Sequence, residues 1–317
     1  MVDGSRGRFR SVTSVRRIST LERVFRPPHP TNLRLTLGPL CRGRGDPCMT
    51  ITVGGVWRAT RTPDGPATLH LSQRDGTITA QAWGAGASWA LETAPLLLGV
   101  DDDPAPFVPQ HPLVRDLHRR LPGLRLGRSG AVVEALVPTV LEQKLVGLEA
   151  RRSYAKLVRA LGEPAPGPAH LLVPPAPDVL AKTPSWVFHR FGVERRRAET
   201  VIRACGYARR LEETTTMPTP DAYRRMEALP GIGRWTSAEV ASLALGDVDA
   251  VSVGDYHLPH LVSWALAGEP RADDDRMLEL LEPYRGQRAR VVRLLEAGAP
   301  GVPRRGPRAQ LRDIARI

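Results

Sequence analysis

The chain has 317 residues, 42% of them hydrophobic, enough for one large core or two smaller ones. It carries a net charge of +12, from 45 basic and 33 acidic side chains, and only Lys144, Lys156 and Lys182 are lysines. No run of about 18 apolar residues occurs, which excludes a membrane-spanning helix. Cys41, Cys48 and Cys205 lack C-x-x-C spacing, which argues against a disulfide framework and against a four-cysteine iron–sulfur or zinc cluster.

A charge this positive favours polyanions, nucleic acid or an anionic membrane surface. A GC-rich coding sequence explains part of the arginine-over-lysine bias but less of the excess over acids. The cysteine usage fits a reducing cytoplasm.

Residues 1–30 hold many Arg, Ser and Thr and few acids. They are expected to be an irregular basic arm, or to follow from a start codon placed too early; an organelle transit peptide has a similar composition. From 31 to 104 a β-rich domain is expected. Leu33-Arg-Leu-Thr-Leu37 alternates as a half-buried strand does, and 50–58, 67–72 and 77–83 repeat the period of two. Asp64-Gly65 and Asp75-Gly76 supply turns, and a helix fits 88–98. The Asp/Pro-rich stretch 101–112 reads as a linker.

A helical domain is expected over 105–300, giving an α+β fold class. Residues 130–161 have apolar positions at helical spacing, interrupted by Pro138, and 163–177 reads as a loop. Helices fit 178–182, 186–190, 194–211, 220–228, 234–245, 256–267, 274–282 and 286–297. Thr219 and Asp178 are N-cap candidates. Residues 301–317 form an expected irregular basic tail.

Leu229-Pro-Gly-Ile-Gly233 lies between two of these helices. Pro230 ends the first, Gly231 and Gly233 permit positive φ, and Ile232 pins the turn into the core. Turn amides at a helix start suit a phosphate, although a plain helix–helix connection has the same pattern. Asp255 begins a later helix, where an N-cap is an ordinary role for aspartate. Asp255, His257 and His260 do not make a convincing zinc site, since Pro259 breaks the spacing. Glu194-Arg-Arg-Arg197 with Arg203, Arg209 and Arg210 forms a basic stripe that suits either phosphates or solvent. P-loop, dinucleotide-binding and G-x-S-x-G patterns are missing.

The stretch LPGIGRWTSAEVASLALGDVDAVSVGDYHL, 229–258, resembles the helix-hairpin-helix DNA glycosylase superfamily, in particular its 3-methyladenine DNA glycosylase II branch. PGLRLGRSGAVVEALVPTVLEQKLVG at 122–147 and EPYRGQRARVVRLL at 282–295 are similar to two further segments of that family. The β-rich front half matches the branch's small TBP-like domain. The resemblance implies a monofunctional glycosylase that flips a damaged base, an alkylated purine, out of double-stranded DNA and leaves an abasic site. By match, Asp255 is catalytic, and Gly231, Gly233, Arg234 and Thr236 hold a DNA phosphate. Trp235, Glu239, Gln143, Lys144 and Arg293 fall at base-pocket or wedge positions. The carbonyls of Glu227, Leu229 and Ile232 match a site for a sodium or potassium ion, with no other cofactor and no iron–sulfur cluster required.

Trp235 stands where bifunctional relatives carry a lysine, so strand cleavage is not expected. Three residues depart from the pattern. Lys144 replaces an apolar wedge, Glu239 a tyrosine, and Arg293 an aromatic residue, which bears on the choice of lesion more than on the reaction. The implied partner is damaged double-stranded DNA, met by a monomer in the cytoplasm at the nucleoid, without a membrane. The rival is a helix-hairpin-helix DNA-binding or damage-sensing protein without catalysis.

Overall fold

The computed structural model describes residues 20–303. The arm expectation over 1–19 and the tail expectation over 304–317 lie outside them.

Five antiparallel strands form one sheet in the order β1-β5-β4-β3-β2. They are β1 (Leu21–Phe25), β2 (Met49–Thr52), β3 (Gly55–Thr62), β4 (Gly65–Arg74) and β5 (Thr77–Trp83). The period-two pattern puts Leu69, Leu71, Ile78, Ala80 and Ala82 on the buried side, with Leu69 opposite Ala82 in the β4–β5 register. Helix α1 (Leu33–Leu37) precedes β2, and α2 (Ala87–Leu97) covers the sheet with Ala90, Leu91 and Ala94.

Several expectations are corrected here. Residues 21–25 are an edge strand paired with β5, not part of an arm. Residues 33–37 are helical, because the Asn32 side chain accepts the Leu35 amide at 3.0 Å and caps a single turn. Residues 50–58 are two strands, folded back at Val53-Gly54 with Gly55 at φ +135°. The 101–112 stretch is no free linker. Asp102, 5% exposed, ion-pairs with Arg290 and accepts the Leu126 amide at 3.0 Å. Its carboxylate thereby joins the end of the sheet unit to the C-terminal helix.

Helix α3 (Pro112–Arg120) follows, unforeseen from the sequence. Then come α4 (Val132–Glu142) and α5 (Gly147–Leu161). Pro138 sits inside α4, and the break falls at 143–146 instead. Two short strands, β6 (Glu163–Pro164) and β7 (Leu172–Val173), tighten the expected 163–177 loop into a hairpin. The remaining helices are α6 (Pro177–Lys182), α7 (Ser185–His189), α8 (Arg195–Gly206), α9 (Ala208–Glu212), α10 (Thr219–Glu227), α11 (Arg234–Val240), α12 (Leu258–Ala267), α13 (Asp274–Leu281) and α14 (Arg288–Gly298). The 194–211 expectation splits at Tyr207, and Thr219 and Asp178 lie in first helical turns rather than at caps.

The helices build two cores. One gathers Leu136, Val140, Leu157, Phe188, Val201, Met226, Ile232 and Val240. The other gathers Leu117, Leu258, Val262, Met277, Leu281, Val291 and Leu294. Helix α4 is anchored at both its ends and to the sheet. The Glu212 carboxylate accepts the Val132 and Val133 amides at 2.8 and 2.9 Å, satisfying two amides of the helix start. Glu134 takes Arg58 of β3 at 2.5 Å.

Candidate functional site

The turn between α10 and α11 is fixed from its carbonyl side. The Leu229 carbonyl accepts the Ile232 amide at 3.0 Å, Arg203 of α8 holds the Pro230 carbonyl at 2.7 Å, and Gln143 holds that of Gly231 at 2.9 Å. Ile232 is buried in the core, as expected. Gly231 has φ +96°, and a Cβ there would lie 2.3 Å from Thr200 Oγ1 of α8, so glycine is required twice over. Gly233 is different. Its φ is −113°, which any residue adopts, and a Cβ would meet open space. Of the two glycines that permit positive φ, only Gly231 uses it. Gly231, Gly233 and Arg234 are exposed at the start of α11, where the helix leaves its first amides unpaired along its own axis.

The Thr236 side chain does not face outward with them. It is buried, and its hydroxyl accepts the Gln143 amide group at 2.9 Å. Gln143 is in turn held at its own carbonyl by Arg197, at 2.7 Å. Arg197 is buried, so the expected basic stripe loses one member to the interior. Beyond Gln143 the chain turns sharply. Lys144 is exposed with φ +54°, a conformation non-glycine residues rarely adopt. Val146 and Leu148 beside it are exposed apolar side chains. The result is a projecting tip next to the hairpin, carrying one charge and two apolar groups.

Asp255 lies in the segment that leads into α12. Its Oδ2 accepts the Trp235 indole N–H at 3.0 Å. Its Oδ1 accepts the amides of His257 and Leu258 at 2.7 and 2.8 Å. The expected capping role is present, and the helix-entry amides orient a carboxylate that stays half-exposed. Trp235 is half-buried on α11. Tyr256 is exposed and meets His257 and His260 edge-on. The His260 ring nitrogen takes the Ala272 amide at 3.3 Å. Among the described residues no group of three or more His, Cys, Asp or Glu side chains is arranged to hold a metal ion.

Glu239 follows Trp235 by one turn of α11, and the Ser252 hydroxyl donates to it. It lines a cavity of about 260 Å³ between the end of α4, the start of α5, α11 and α14. Arg293 lines the same cavity and pairs with Glu296 at 2.5 Å; Arg42 and Glu142 pair at 3.3 Å. Burial pushes the Glu239 carboxyl up to about 7, against the lowering effect of the Ser252 bond. Sequence reasoning placed Glu239 and Arg293 here but missed Arg42, Glu142, Arg151 and Ser252, and it put Arg197 and Arg203 in a basic stripe rather than on the carbonyls of Gln143 and Pro230.

No family model matches the chain. Over 168 residues it is 28% identical to DNA-3-methyladenine glycosylase 2 of Escherichia coli (strain K12), a match spanning 52% of this chain and 57% of that protein. The structure superposes on a 3-methyladenine DNA glycosylase from Archaeoglobus fulgidus with a TM-score of 0.72 at 19% identity, covering 86% of this chain and 96% of the other. It superposes on a Clostridium acetobutylicum 8-oxoguanine glycosylase/lyase in complex with double-stranded DNA with a TM-score of 0.67 at 10% identity, covering 87% and 96%. The fold is the α+β fold of these glycosylases, and the sequence match bears out the resemblance to the helix-hairpin-helix DNA glycosylases.

Proposed function

We propose that this chain is a monofunctional DNA N-glycosylase of base excision repair. It flips an alkylated purine out of double-stranded DNA and hydrolyses the N-glycosidic bond, leaving an abasic site. The observation that carries the proposal is the Asp255 carboxylate, half-exposed and held at both oxygens, with one oxygen bonded to Trp235 on the helix that follows the exposed hairpin.

Extruding a base costs a few kcal/mol, least for a damaged pair. The amides of Gly231, Gly233, Arg234 and Thr236, with the Arg234 side chain, would grip a backbone phosphate and keep the duplex in register. The tip formed by Gln143, Lys144, Val146 and Leu148 would occupy the gap left in the stack. Trp235 would present its ring to the flipped base. As the base departs, positive charge develops on the sugar. A fixed carboxylate stabilises that charge without reorganising, and it can orient the attacking water. A sodium or potassium ion would sit on the carbonyls of Glu227, Leu229 and Ile232; the Leu229 carbonyl, which accepts one amide, keeps a lone pair for it. Its charge would draw the phosphate toward the turn.

Trp235 has no amine, so the matched position cannot form a Schiff base. The protein acts as a monomer on DNA in the cytoplasm. The test is a duplex with one alkylated purine, probed for strand breaks before and after alkali and for borohydride-trapped adduct. Alkali-dependent breaks without adduct are expected. Breaks before alkali, together with a trapped adduct, would replace the monofunctional reading with a lyase.

A further inference from the structure

Trp235 and Glu239 lie one turn apart on the same face of α11, about 6 Å along the axis. Each is bonded to the same facing segment, Trp235 to Asp255 and Glu239 to Ser252 three residues earlier. Two carboxylates therefore meet the same four-residue segment, Asp255 as its last residue and Glu239 through Ser252, and Glu239 also stands at the cavity wall.

The cavity facing Glu239 is polar and not acidic. Arg42, Arg151 and Arg293 line it against Glu142 and Glu296, both of which are paired with arginine. The Cys41 thiol, raised by burial, stays neutral. With Glu239 protonated the lining therefore carries excess positive charge, which disfavours a cationic guest. Burial together with Glu142 and Glu296 outweighs Ser252 and Arg42, holding the Glu239 carboxyl at about 7, so the acid form is well populated at neutral pH.

A purine alkylated on a ring nitrogen already carries positive charge and leaves unaided. A neutral purine leaves as an anion unless a proton reaches it. We propose that Glu239 is the proton donor to the departing base, so that this cavity serves bases that are neutral in DNA. This rests on the glycosylase reading above. In the step, the C1′–N9 bond breaks with its electron pair passing to the base, and the Glu239 proton moves to a base nitrogen. Water adds to C1′ opposite and gives its proton to Asp255. Solvent returns a proton to Glu239, and Asp255 releases one.

The test uses the full chain and two duplexes, one carrying hypoxanthine (neutral) and one 7-methylguanine (cationic), followed by single-turnover base release from pH 5.5 to 8.5. For the wild type, hypoxanthine release is expected to fall about tenfold per pH unit above the Glu239 value, relative to 7-methylguanine release. Glu239→Gln is expected to slow hypoxanthine release by about 100-fold or more, and at least about 30-fold more than it slows 7-methylguanine release. Parallel pH profiles in the wild type, which need no variant, would overturn the proposal, as would equal losses on both duplexes. Release of 7-methylguanine but not hypoxanthine by the wild type would overturn this proposal alone. Release of neither would overturn the glycosylase reading beneath it.

Discussion

Glu239 makes folding stability depend on pH in a way that one substitution removes. Unfolded, the carboxyl titrates near the usual 4.5; folded, burial holds it at about 7. Below 4.5 both states keep the proton and the site adds no pH dependence. As pH rises between the two values, the folded state binds the proton more tightly, so stability falls. Above the folded value both states are ionised and the loss is complete. At 1.36 kcal/mol per pH unit the whole effect is about 3 kcal/mol, of which about 2.5 lies between pH 5 and pH 8. Glu239→Gln keeps the shape and the bond from Ser252 but cannot ionise. Urea unfolding of both proteins at the two pH values cancels the titration of every other group in the difference. The wild type should lose about 2.5 kcal/mol more than the variant on going from pH 5 to pH 8. Losses that agree within about 0.5 kcal/mol would refute the claim that this carboxyl is held protonated by its surroundings.

Asp102→Ala strands Arg290, itself 1% exposed, and the Leu126 amide. A loss of about 3–5 kcal/mol is expected in the urea midpoint analysis. Gly231→Ala forces a Cβ to within 2.3 Å of Thr200 Oγ1 at φ +96° and should cost about 2 kcal/mol or more. Gly233→Ala should fold with a stability change under about 0.5 kcal/mol, yet raise the Kd for duplex DNA severalfold in fluorescence anisotropy, because its methyl group occupies the exposed face of the turn. Trp235→Phe keeps a flat ring but removes the donor to Asp255 Oδ2. A hydrogen bond to a charged group contributes about 1.5–3 kcal/mol, so single-turnover base release should slow by about tenfold or more.

The hairpin and Asp255 were legible because their chemistry is local. Pro230, Gly231 and Ile232 act within one turn, and Asp255 binds amides two and three residues on. The sheet was legible from its alternation and its Asp-Gly turns. Leu33–Leu37 misled because five alternating residues also fit one helical turn, and the Asn32 cap decided between them. Pro138 was overread as a break, while the true bend depends on Lys144 taking a left-handed conformation that its side chain does not announce. The Asp102–Arg290 pair spans 188 positions, and the cavity joins α4, α5, α11 and α14 with residues near Arg42. Such long-range encounters leave no periodic trace, so the polar character of the cavity emerged only in three dimensions.

The most direct measurement is mass spectrometry of free bases released from alkylated duplex DNA by the wild type and by Asp255→Asn. Released bases with the wild type, and almost none with a variant that still binds DNA, are the expected result. Equal release by the two proteins would contradict the role assigned to Asp255. No release by the wild type from DNA carrying both cationic and neutral lesions would contradict the glycosylase account itself.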